Sequence, residues 1–408
     1  MPNTVQASTG DTVEATLHTI TPIATDGRHN AFCGLVRWRD FYYVSYRSGD
    51  GHGVFPGGDI VIQRCHQDDI RWTPRRVDGP SWQQVARLST PGDNRDPHLV
   101  ADRDMLWCYF ATYYPRWGTD GKWCLTNATH DYLTSIVQTS NGTTWSKPCQ
   151  VFRPNYWLWS VVSVPSTRGD QAPVWYGAAY HTGDIYDEMY SLHLIRSESR
   201  IWWTHRAVMR WSTDFQTRKP SEPCLFAPRQ NSLACLARLE NGCLYGTATF
   251  PYQEWTWSHL RITLHAPSVF QAHGKVFVVA RSRRDELPGY VPPKQKSTAK
   301  TTGDGRKIPH DSSDEDVKPS LLRPMDLYCT ALWEVCCVDA HETRPTLRHL
   351  LTLPSWGDNS YAGTVWDADL QELLVAYYSM HERQPLPEET ALVSPADVFL
   401  ARVGLTVV

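Results

Sequence analysis

Residues Pro97-His-Leu-Val100, followed after a polar turn by Ala111-Thr-Tyr113, form one copy of a pattern that recurs along the chain. Each copy has a small or proline-containing start, an apolar run, a polar turn and a second strand rich in aromatic residues. The six copies begin near Ala31, Pro97, Leu158, Pro223, Pro267 and Ala362. Their spacing of roughly 45 to 95 residues fits one four-stranded propeller blade per copy, with loop insertions. The sequence therefore predicts an all-β fold, a six-bladed β-propeller of four-stranded antiparallel blades.

The geometry of a propeller brings the starts of its inner strands together at one face. Residues from all six copies should therefore form one site. The expected ring consists of Asn30-Ala-Phe, Arg95-Asp96-Pro97-His98, Trp157-Leu-Trp159, Ser221-Glu222-Pro223, His265-Ala-Pro267 and Asn359-Ser-Tyr361. Charged, amide and aromatic groups in such a ring favour a polar ligand, and we expect Asn30 and Asp96 to contact it.

Composition supports one domain over residues 1–408. Aromatic residues make up 12% of the chain and Trp alone counts 18, which suits half-buried strands. The net charge of −3 gives no reason to expect nucleic acid or an anionic membrane as a partner. The sequence has no apolar window long enough for a transmembrane helix and does not begin with a secretory leader. We therefore expect a cytoplasmic protein unless a leader was trimmed; the oligomeric state stays open.

The segment 285–324 departs from this pattern. It is rich in proline, lysine and acidic residues and nearly devoid of apolar ones. Such a composition cannot bury enough surface to offset the entropy of ordering, which predicts a disordered polar insertion within blade five.

The spacing of potential ligands indicates no metal centre. The chain contains neither His-x-x-x-His nor Cys-x-x-Cys, and no tight cluster of carboxylates. We expect no cofactor and no catalytic metal, although a structural Ca²⁺ in a surface loop stays possible.

Several phrases, taken in order, resemble the sialidase superfamily of six-bladed propellers, in particular bacterial sialidase-like proteins. They are Asn30-Ala-Phe, Tyr46-Arg-Ser-Gly-Asp-Gly-His52, Arg95-Asp-Pro-His-Leu99, Asn155-Tyr-Trp-Leu-Trp159 and Gly357-Asp-Asn-Ser-Tyr-Ala-Gly363. The Asp-box turns of that superfamily are present only in eroded form, as in Thr139-Ser-Asn-Gly-Thr-Thr-Trp145.

The resemblance implies a tyrosine nucleophile on blade six, which matches Tyr361, and a glutamate base at the start of blade four, which matches Glu222. A phenol in water has a pKa near 10 and needs a base to remove its proton. A neutral phenol also avoids the repulsion that a carboxylate nucleophile would feel from the carboxylate of an acidic sugar.

The resemblance further implies an arginine clamp for the substrate carboxylate, because planar guanidinium groups bind carboxylates in bidentate fashion. Arg238 and Arg281 match two of its three members. The third should open blade one, where this chain has Asn30-Ala-Phe instead. Arg47 and Arg95 are the available replacements, and each of these arginines could instead form a buried ion pair.

The general acid is expected in the glycine-rich loop from Ser48 to Asp59. His52 is favoured, because an imidazole donates or accepts a proton near neutral pH, and Asp59 is the next candidate. Trp157 and Trp159 could stack on a sugar ring, and His98 could hydrogen-bond its hydroxyls.

Three classes of function remain open on the sequence. The first is a retaining exo-glycosidase that hydrolyses a terminal acidic sugar, sialic acid or a relative. The second is a propeller polysaccharide lyase acting on a uronate-containing glycan. The third is a non-catalytic carbohydrate-binding propeller, since a fold does not determine an activity.

Overall fold

The computed structural model of the chain describes residues 12–52, 57–72, 80–114, 116–117, 123–124, 131–165, 172–181, 191–210, 219–291, 324–336, 344–383 and 394–408. Six four-stranded antiparallel sheets are arranged as the blades of a propeller. The predicted fold class is confirmed, and each of the six sequence copies begins on the innermost strand of its own blade.

Each blade runs from an inner strand beside the axis to an outer strand at the rim. Blade one contains β2 (His29–Trp38), β3 (Phe41–Gly49), β4 (Asp59–His66) and β5 (Gln83–Leu88); blade two contains β6 (Asp93–Ala101), β7 (Leu106–Tyr114), β10 (Asp131–Thr139) and β11 (Cys149–Val151); blade three contains β12 (Tyr156–Val164), β13 (Val174–His181), β14 (Ser191–Ser197) and β15 (Thr204–Val208).

The second half of the chain repeats this plan. Blade four contains β16 (Ser221–Arg229), β17 (Ser232–Arg238), β18 (Cys243–Thr249) and β19 (Thr256–Leu260); blade five contains β20 (His265–Ala272), β21 (Lys275–Arg283), β22 (Tyr328–Cys336) and β23 (Thr346–Leu353); blade six contains β24 (Ser360–Asp367), β25 (Glu372–Ser379), β26 (Asp397–Val407) and β1 (Val13–Ala24). Small additional elements are α1 (Gln67–Trp72), α2 (Pro324–Leu327), a 3-10 turn at Arg284–Glu286, and the short pair β8 (Arg116–Trp117) and β9 (Trp123–Cys124).

Blade six closes the ring. Its outer strand β1 comes from the start of the described chain and pairs with β26 from the end, in a register that sets Val13 opposite Val407. Because the first and last strands share one sheet, the inner strands of all six blades surround one axis.

The hydrophobic core fills the wedges between neighbouring blades. Ile60 and Ile62 of blade one share one buried cluster with Cys108 and Phe110 of blade two. Near the axis the backbones approach so closely that a Cβ on Gly363 would lie 2.3 Å from the amide nitrogen of Leu35. Glycine is therefore required where the inner strands of blades one and six meet.

Every inner strand carries a β-bulge near its start, where one extra residue opposes the second strand of the blade. In five blades a bulged residue has a positive φ, a conformation that costs a non-glycine residue energy and that persists where the surroundings enforce it. These residues are Phe32 (60°), Asp96 (47°), Glu222 (51°), Ala266 (45°) and Tyr361 (43°). A bulge redirects side chains, so the repeated distortion marks the face where a site is built.

The predicted insertion at 285–324 falls between the second and third strands of blade five. Residues 292–323 lie outside the described residues. At the described beginning of the segment, Glu286 accepts hydrogen bonds from the backbone nitrogen of Thr263 at 2.6 Å and from its hydroxyl at 2.8 Å. No helix within the described ranges has the length and apolar character needed to cross a membrane.

Candidate active site

A cavity of about 210 Å³ lies on the propeller axis and is lined by residues of all six inner strands. Its lining includes Phe32, Asp96, His98, Trp159, Ala266 and Tyr361. Four of these six residues are polar or amphipathic, so the cavity can hydrogen-bond a polar ligand while aromatic rings contact its apolar faces.

Tyr361, Glu222 and Arg238 meet at the edge of this cavity. The Tyr361 hydroxyl donates a hydrogen bond to Glu222 Oε1 at 2.8 Å. Arg238 Nη1 donates to the same carboxylate oxygen at 2.6 Å and to the Tyr361 oxygen at 2.8 Å. The backbone nitrogen of Ala266 donates to Glu222 Oε2 at 2.8 Å. Residues of blades four, five and six thus hold a phenol against a carboxylate, as the sequence predicted for Tyr361 and Glu222.

The protonation states of this pair follow from their surroundings. Burial raises the pKa of Tyr361, only partly opposed by Arg238 and Arg281, so the resting group is a neutral phenol. Burial also raises the pKa of Glu222, but Arg238, His265 and two hydrogen bonds outweigh it and leave that pKa below its ordinary value. Glu222 is therefore ionised at neutral pH and can act as a base toward the tyrosine.

Arg281 connects Tyr361 to a second group of polar residues. Its guanidinium lies 4.7 Å from the centre of the Tyr361 ring, within the range of a cation–π contact. The same guanidinium donates to Asp358 Oδ1 at 2.7 Å and to the hydroxyl of Tyr378 at 2.8 Å. Asp358 Oδ2 in turn lies 2.5 Å from His52 Nδ1.

Asp96 is a buried carboxyl group in the cavity wall. Its Oδ1 has no hydrogen-bond partner within the described part of the chain. Burial and the neighbouring charge of Glu222 raise the pKa of Asp96 to about 8, against the opposing effect of Arg95. Asp96 is thus protonated at neutral pH and can donate that proton to a bound ligand.

His98 and Trp159 are brought to the same wall, and their rings meet edge to face at a centroid distance of 5.1 Å. Burial lowers the pKa of His98 to about 4, so its imidazole is neutral. Among the described residues, His98 Nε2 has no hydrogen-bond partner and is free for a ligand.

Arg47 does not reach the cavity. Its side chain is 0% exposed and pairs through Nε with Asp93 Oδ1 at 2.8 Å. The role of a replacement clamp residue does not fit this position, because a fully buried ion pair has no room for a substrate carboxylate. Arg95 also pairs with Asp93, at 2.5 Å, but its side chain is 13% exposed and its guanidinium lies 6.0 Å from the Phe32 ring that lines the cavity.

Asp59, Trp157 and Asn30 are also not brought to the cavity. Asp59 pairs with Arg87 of the outer strand β5 at 3.0 Å, so its carboxylate is directed away from the axis. Trp157 is buried and stacks on Tyr180 at a ring distance of 5.8 Å. Asn30 is buried and its amide nitrogen donates to Asp26 at 2.7 Å. None of these three side chains lines the cavity, although Asn30 Oδ1 and Trp157 Nε1 have no hydrogen-bond partner among the described residues.

His52 lies next to the cavity rather than in its wall, with its ring 5.3 Å from that of Phe32. Burial lowers its pKa, partly opposed by Asp358, so the imidazole is a poorer proton donor at neutral pH than the sequence suggested. Asp358 and His29 contribute to this group and were not predicted as site residues. Each directly precedes a predicted ring residue, Asn30 or Asn359, and Asp358 also lies in the phrase Gly357–Gly363 that resembles the sialidases.

The fold is similar to that of several sialidases. The structure of Trypanosoma rangeli sialidase matches with a TM-score of 0.56 at 10% identity, over 97% of this chain and 60% of that chain. The same sialidase in complex with the inhibitor DANA gives a TM-score of 0.55 at 10% identity, over 95% and 59%. Phage phi92 endosialidase gives a TM-score of 0.57 at 9% identity, over 95% and 69%. The expected sialidase-like propeller fold is confirmed.

At these identities the likeness concerns the fold alone. The chain spans about three fifths of the length of the T. rangeli sialidase chains that it matches. No protein-family model matches the sequence, and no curated protein sequence matches it either.

Proposed function

We propose that the protein is a retaining exo-glycosidase that hydrolyses a terminal acidic sugar, sialic acid or a related acid. The observation that carries the proposal is the hydrogen bond of 2.8 Å between the hydroxyl of Tyr361 and the carboxylate of Glu222 at the edge of the axial cavity. A buried phenol beside an ionised carboxylate is the pairing of a nucleophile with its base.

The reaction has two displacements. In the first, the Tyr361 oxygen attacks the anomeric carbon, its proton passes to Glu222, and the glycosidic bond breaks as the leaving oxygen takes a proton from Asp96. In the second, water attacks the anomeric carbon of the tyrosyl glycoside, gives its proton to the Asp96 carboxylate, and Glu222 returns a proton to the departing Tyr361 oxygen. Two inversions at one carbon give net retention.

Asp96 is the proton donor in this proposal, in place of His52 or Asp59. A general acid must carry its proton at the working pH and lie within reach of the leaving group. Asp96 lines the cavity and has a pKa of about 8, whereas His52 holds a neutral ring against Asp358 and Asp59 pairs with Arg87 at the rim.

Two cations beside the nucleophile support an acidic substrate. Arg238 contacts the Tyr361 oxygen and Arg281 lies against the Tyr361 ring. Because the nucleophile is a neutral phenol, it does not repel a substrate carboxylate held by these guanidinium groups. The likeness of the fold to sialidases points to the same substrate class.

A turnover assay tests the proposal. Wild type, Tyr361→Phe and the rim variant Asp59→Asn are compared on fluorogenic glycosides of sialic acid, its deaminated and eight-carbon relatives, and glucuronic acid. We expect wild type and Asp59→Asn to release the fluorophore equally and Tyr361→Phe to lose this activity.

Three results would overturn the proposal. Full activity of Tyr361→Phe would exclude Tyr361 as the nucleophile. Absence of wild-type activity on every glycoside would favour a non-catalytic carbohydrate-binding propeller. Absorbance of an unsaturated uronate from acidic polysaccharides would instead identify a lyase, since only elimination forms that product.

A further inference from the structure

Two imidazoles and a carboxylate from distant parts of the chain meet beside the cavity. His29 begins the inner strand of blade one, His52 follows the second strand of that blade, and Asp358 lies just before the inner strand of blade six. One ligand atom from each of the three side chains lies within 4.8 Å of the other two. Sequence spacing could not reveal this group, because 306 positions separate His52 from Asp358.

His29 is the member that the surrounding protein leaves unsatisfied. Its side chain is 0% exposed, yet neither ring nitrogen has a hydrogen-bond partner among the described residues. Its Nε2 lies 3.2 Å from Asp358 Oδ2, within ion-pair distance but without good hydrogen-bond geometry, and its Nδ1 has no partner of either kind among the described residues. A buried polar atom without a partner destabilises the folded protein, so such an atom calls for an explanation.

The two oxygens of Asp358 have different surroundings. Oδ1 accepts hydrogen bonds from Arg281 at 2.7 Å and from the Tyr378 hydroxyl at 2.8 Å. Oδ2 faces the two imidazoles, at 2.5 Å from His52 and 3.2 Å from His29. Metal-binding carboxylates are commonly held in this way, with outer hydrogen bonds to one oxygen orienting the other toward the ion.

We propose that His29, His52 and Asp358 bind one divalent transition-metal ion, for which Zn²⁺ is the best match. Two imidazole nitrogens and one carboxylate oxygen are a zinc donor set, and a fourth position stays open for water or a ligand. Ca²⁺ and Mg²⁺ prefer ligand sets made of oxygen and are excluded by the two imidazoles. The His52 side chain is 28% exposed, so an ion can enter from that side.

Binding requires a small adjustment at His52. Two ligands of a tetrahedral zinc ion, each about 2.0–2.1 Å from it, lie about 3.3 Å apart. The present contact of 2.5 Å between His52 Nδ1 and Asp358 Oδ2 therefore widens when the ion enters. The backbone oxygen of His52 accepts a hydrogen bond from Arg95 Nη2 at 3.1 Å, so we expect the adjustment in the side-chain torsions of His52. The positive charge of Arg281 opposes the ion, while the hydrogen bonds from Arg281 and Tyr378 keep Oδ2 in place.

Calorimetric titration of the chelator-treated full chain with Zn²⁺, and separately with Ca²⁺, tests the proposal. We expect one equivalent of Zn²⁺ to bind and Ca²⁺ not to bind. His29→Ala and His52→Ala should each weaken Zn²⁺ binding by more than the 10- to 100-fold typical of an outer-partner change, whereas Tyr378→Phe should weaken it by about tenfold.

The matched control is His193→Ala on blade three. His193 Nδ1 lies 3.2 Å from His205 Nε2, so this variant removes a histidine from a different close pair. The control should bind Zn²⁺ like the wild type. Wild type that takes up no stoichiometric Zn²⁺, or Zn²⁺ binding that survives both His29→Ala and His52→Ala, would contradict the proposal.

Two further measurements separate loss of the metal site from misfolding and from loss of the glycosidase activity. His52→Ala changes a partly exposed side chain, so it serves as the decisive variant if thermal melting shows that His29→Ala does not fold. Tyr361→Phe should bind Zn²⁺ normally while lacking hydrolysis, so failure of the glycosidase proposal and failure of the metal site give different results.

Discussion

Arg47, Arg238 and Arg281 occupy equivalent positions in blades one, four and five, but only two of them reach the candidate active site. Each lies on the second strand of its blade and pairs with the residue directly before the bulge of the inner strand. Arg238 and Arg281 contact Tyr361, whereas Arg47 is sealed in an ion pair with Asp93.

The difference comes from the neighbouring blade and not from the repeat. Asp93 begins the inner strand of blade two and its carboxylate binds Arg47, Arg95 and the backbone nitrogen of Gly58. Both side chains of the pair between Arg47 and Asp93 are fully buried, so the pair has a structural role. The repeat therefore sets the strand position of each arginine. The neighbouring acidic residue determines whether its guanidinium group is buried in an ion pair or contacts Tyr361.

Arg47→Met should produce the largest loss of stability. It leaves Asp93 with a buried charge that has lost one of its partners, and breaking such a pair costs about 3–5 kcal/mol. Arg238→Met should cost less, about 1.5–3 kcal/mol, because the Arg238 side chain is 32% exposed and the Glu222 carboxylate, although it loses a charged donor, keeps its hydrogen bonds from Tyr361 and Ala266. Urea unfolding of both variants measures the two losses in the free energy of unfolding. Equal losses would contradict the assignment of a structural role to Arg47 alone.

Asp96→Asn should lower turnover by about 100-fold on substrates with poor leaving groups. Asparagine cannot donate the required proton, while a good leaving group needs none. Because burial raises the pKa of Asp96 to about 8, its acid form is present below that pH, and wild-type turnover should fall as the pH rises through it. A pH profile with leaving groups of graded acidity measures both effects. If the turnover of Asp96→Asn still falls with rising pH as it does in the wild type, another residue is the general acid.

Arg281→Lys should reduce kcat/KM by about tenfold without unfolding the protein. Lysine keeps the charge but lacks the planar fork with which Arg281 binds Asp358 and the backbone oxygen of Asn359. Steady-state kinetics on the preferred glycoside tests this. The same change made at the exposed Arg87 provides the control, and equal kinetics for the two variants would show that Arg281 acts only as a positive charge.

Asp59→Asn should have the smallest effect. The pair between Asp59 and Arg87 is partly exposed, and such pairs contribute about 0–1 kcal/mol. Both the unfolding midpoint and the turnover should match the wild type. A loss of turnover with unchanged stability would return Asp59 to the list of candidate acids.

The fold was predictable because it depends on local sequence patterns. The starts of the six sequence copies lie on the six inner strands, and the ring geometry then brought Tyr361 of blade six to Glu222 and Arg238 of blade four. The alternation of apolar and polar residues along a strand and the spacing of the copies are local properties, so they can be recognised in a single sequence.

What could not be predicted depends on partners far apart in the chain. The burial of Arg47 depends on Asp93, and the environment of His52 depends on Asp358. Trp157 and Trp159 lie in one buried cluster with ring centroids 6.2 Å apart, but the strand carries a bulge between Leu158 and Ser160 and only Trp159 lines the cavity. Asp96 was expected to contact substrate, while its raised pKa arises from burial and from the charge of Glu222 on blade four.

The most direct test of the account is to trap the intermediate. The protein is incubated with a fluorinated, activated glycoside of its preferred acidic sugar, and the digested chain is analysed by mass spectrometry. The account predicts one sugar attached to the peptide that contains Tyr361, with no attachment in Tyr361→Phe. A sugar attached to another residue, or steady hydrolysis that proceeds with no covalent adduct, would contradict the assignment of Tyr361 as the nucleophile.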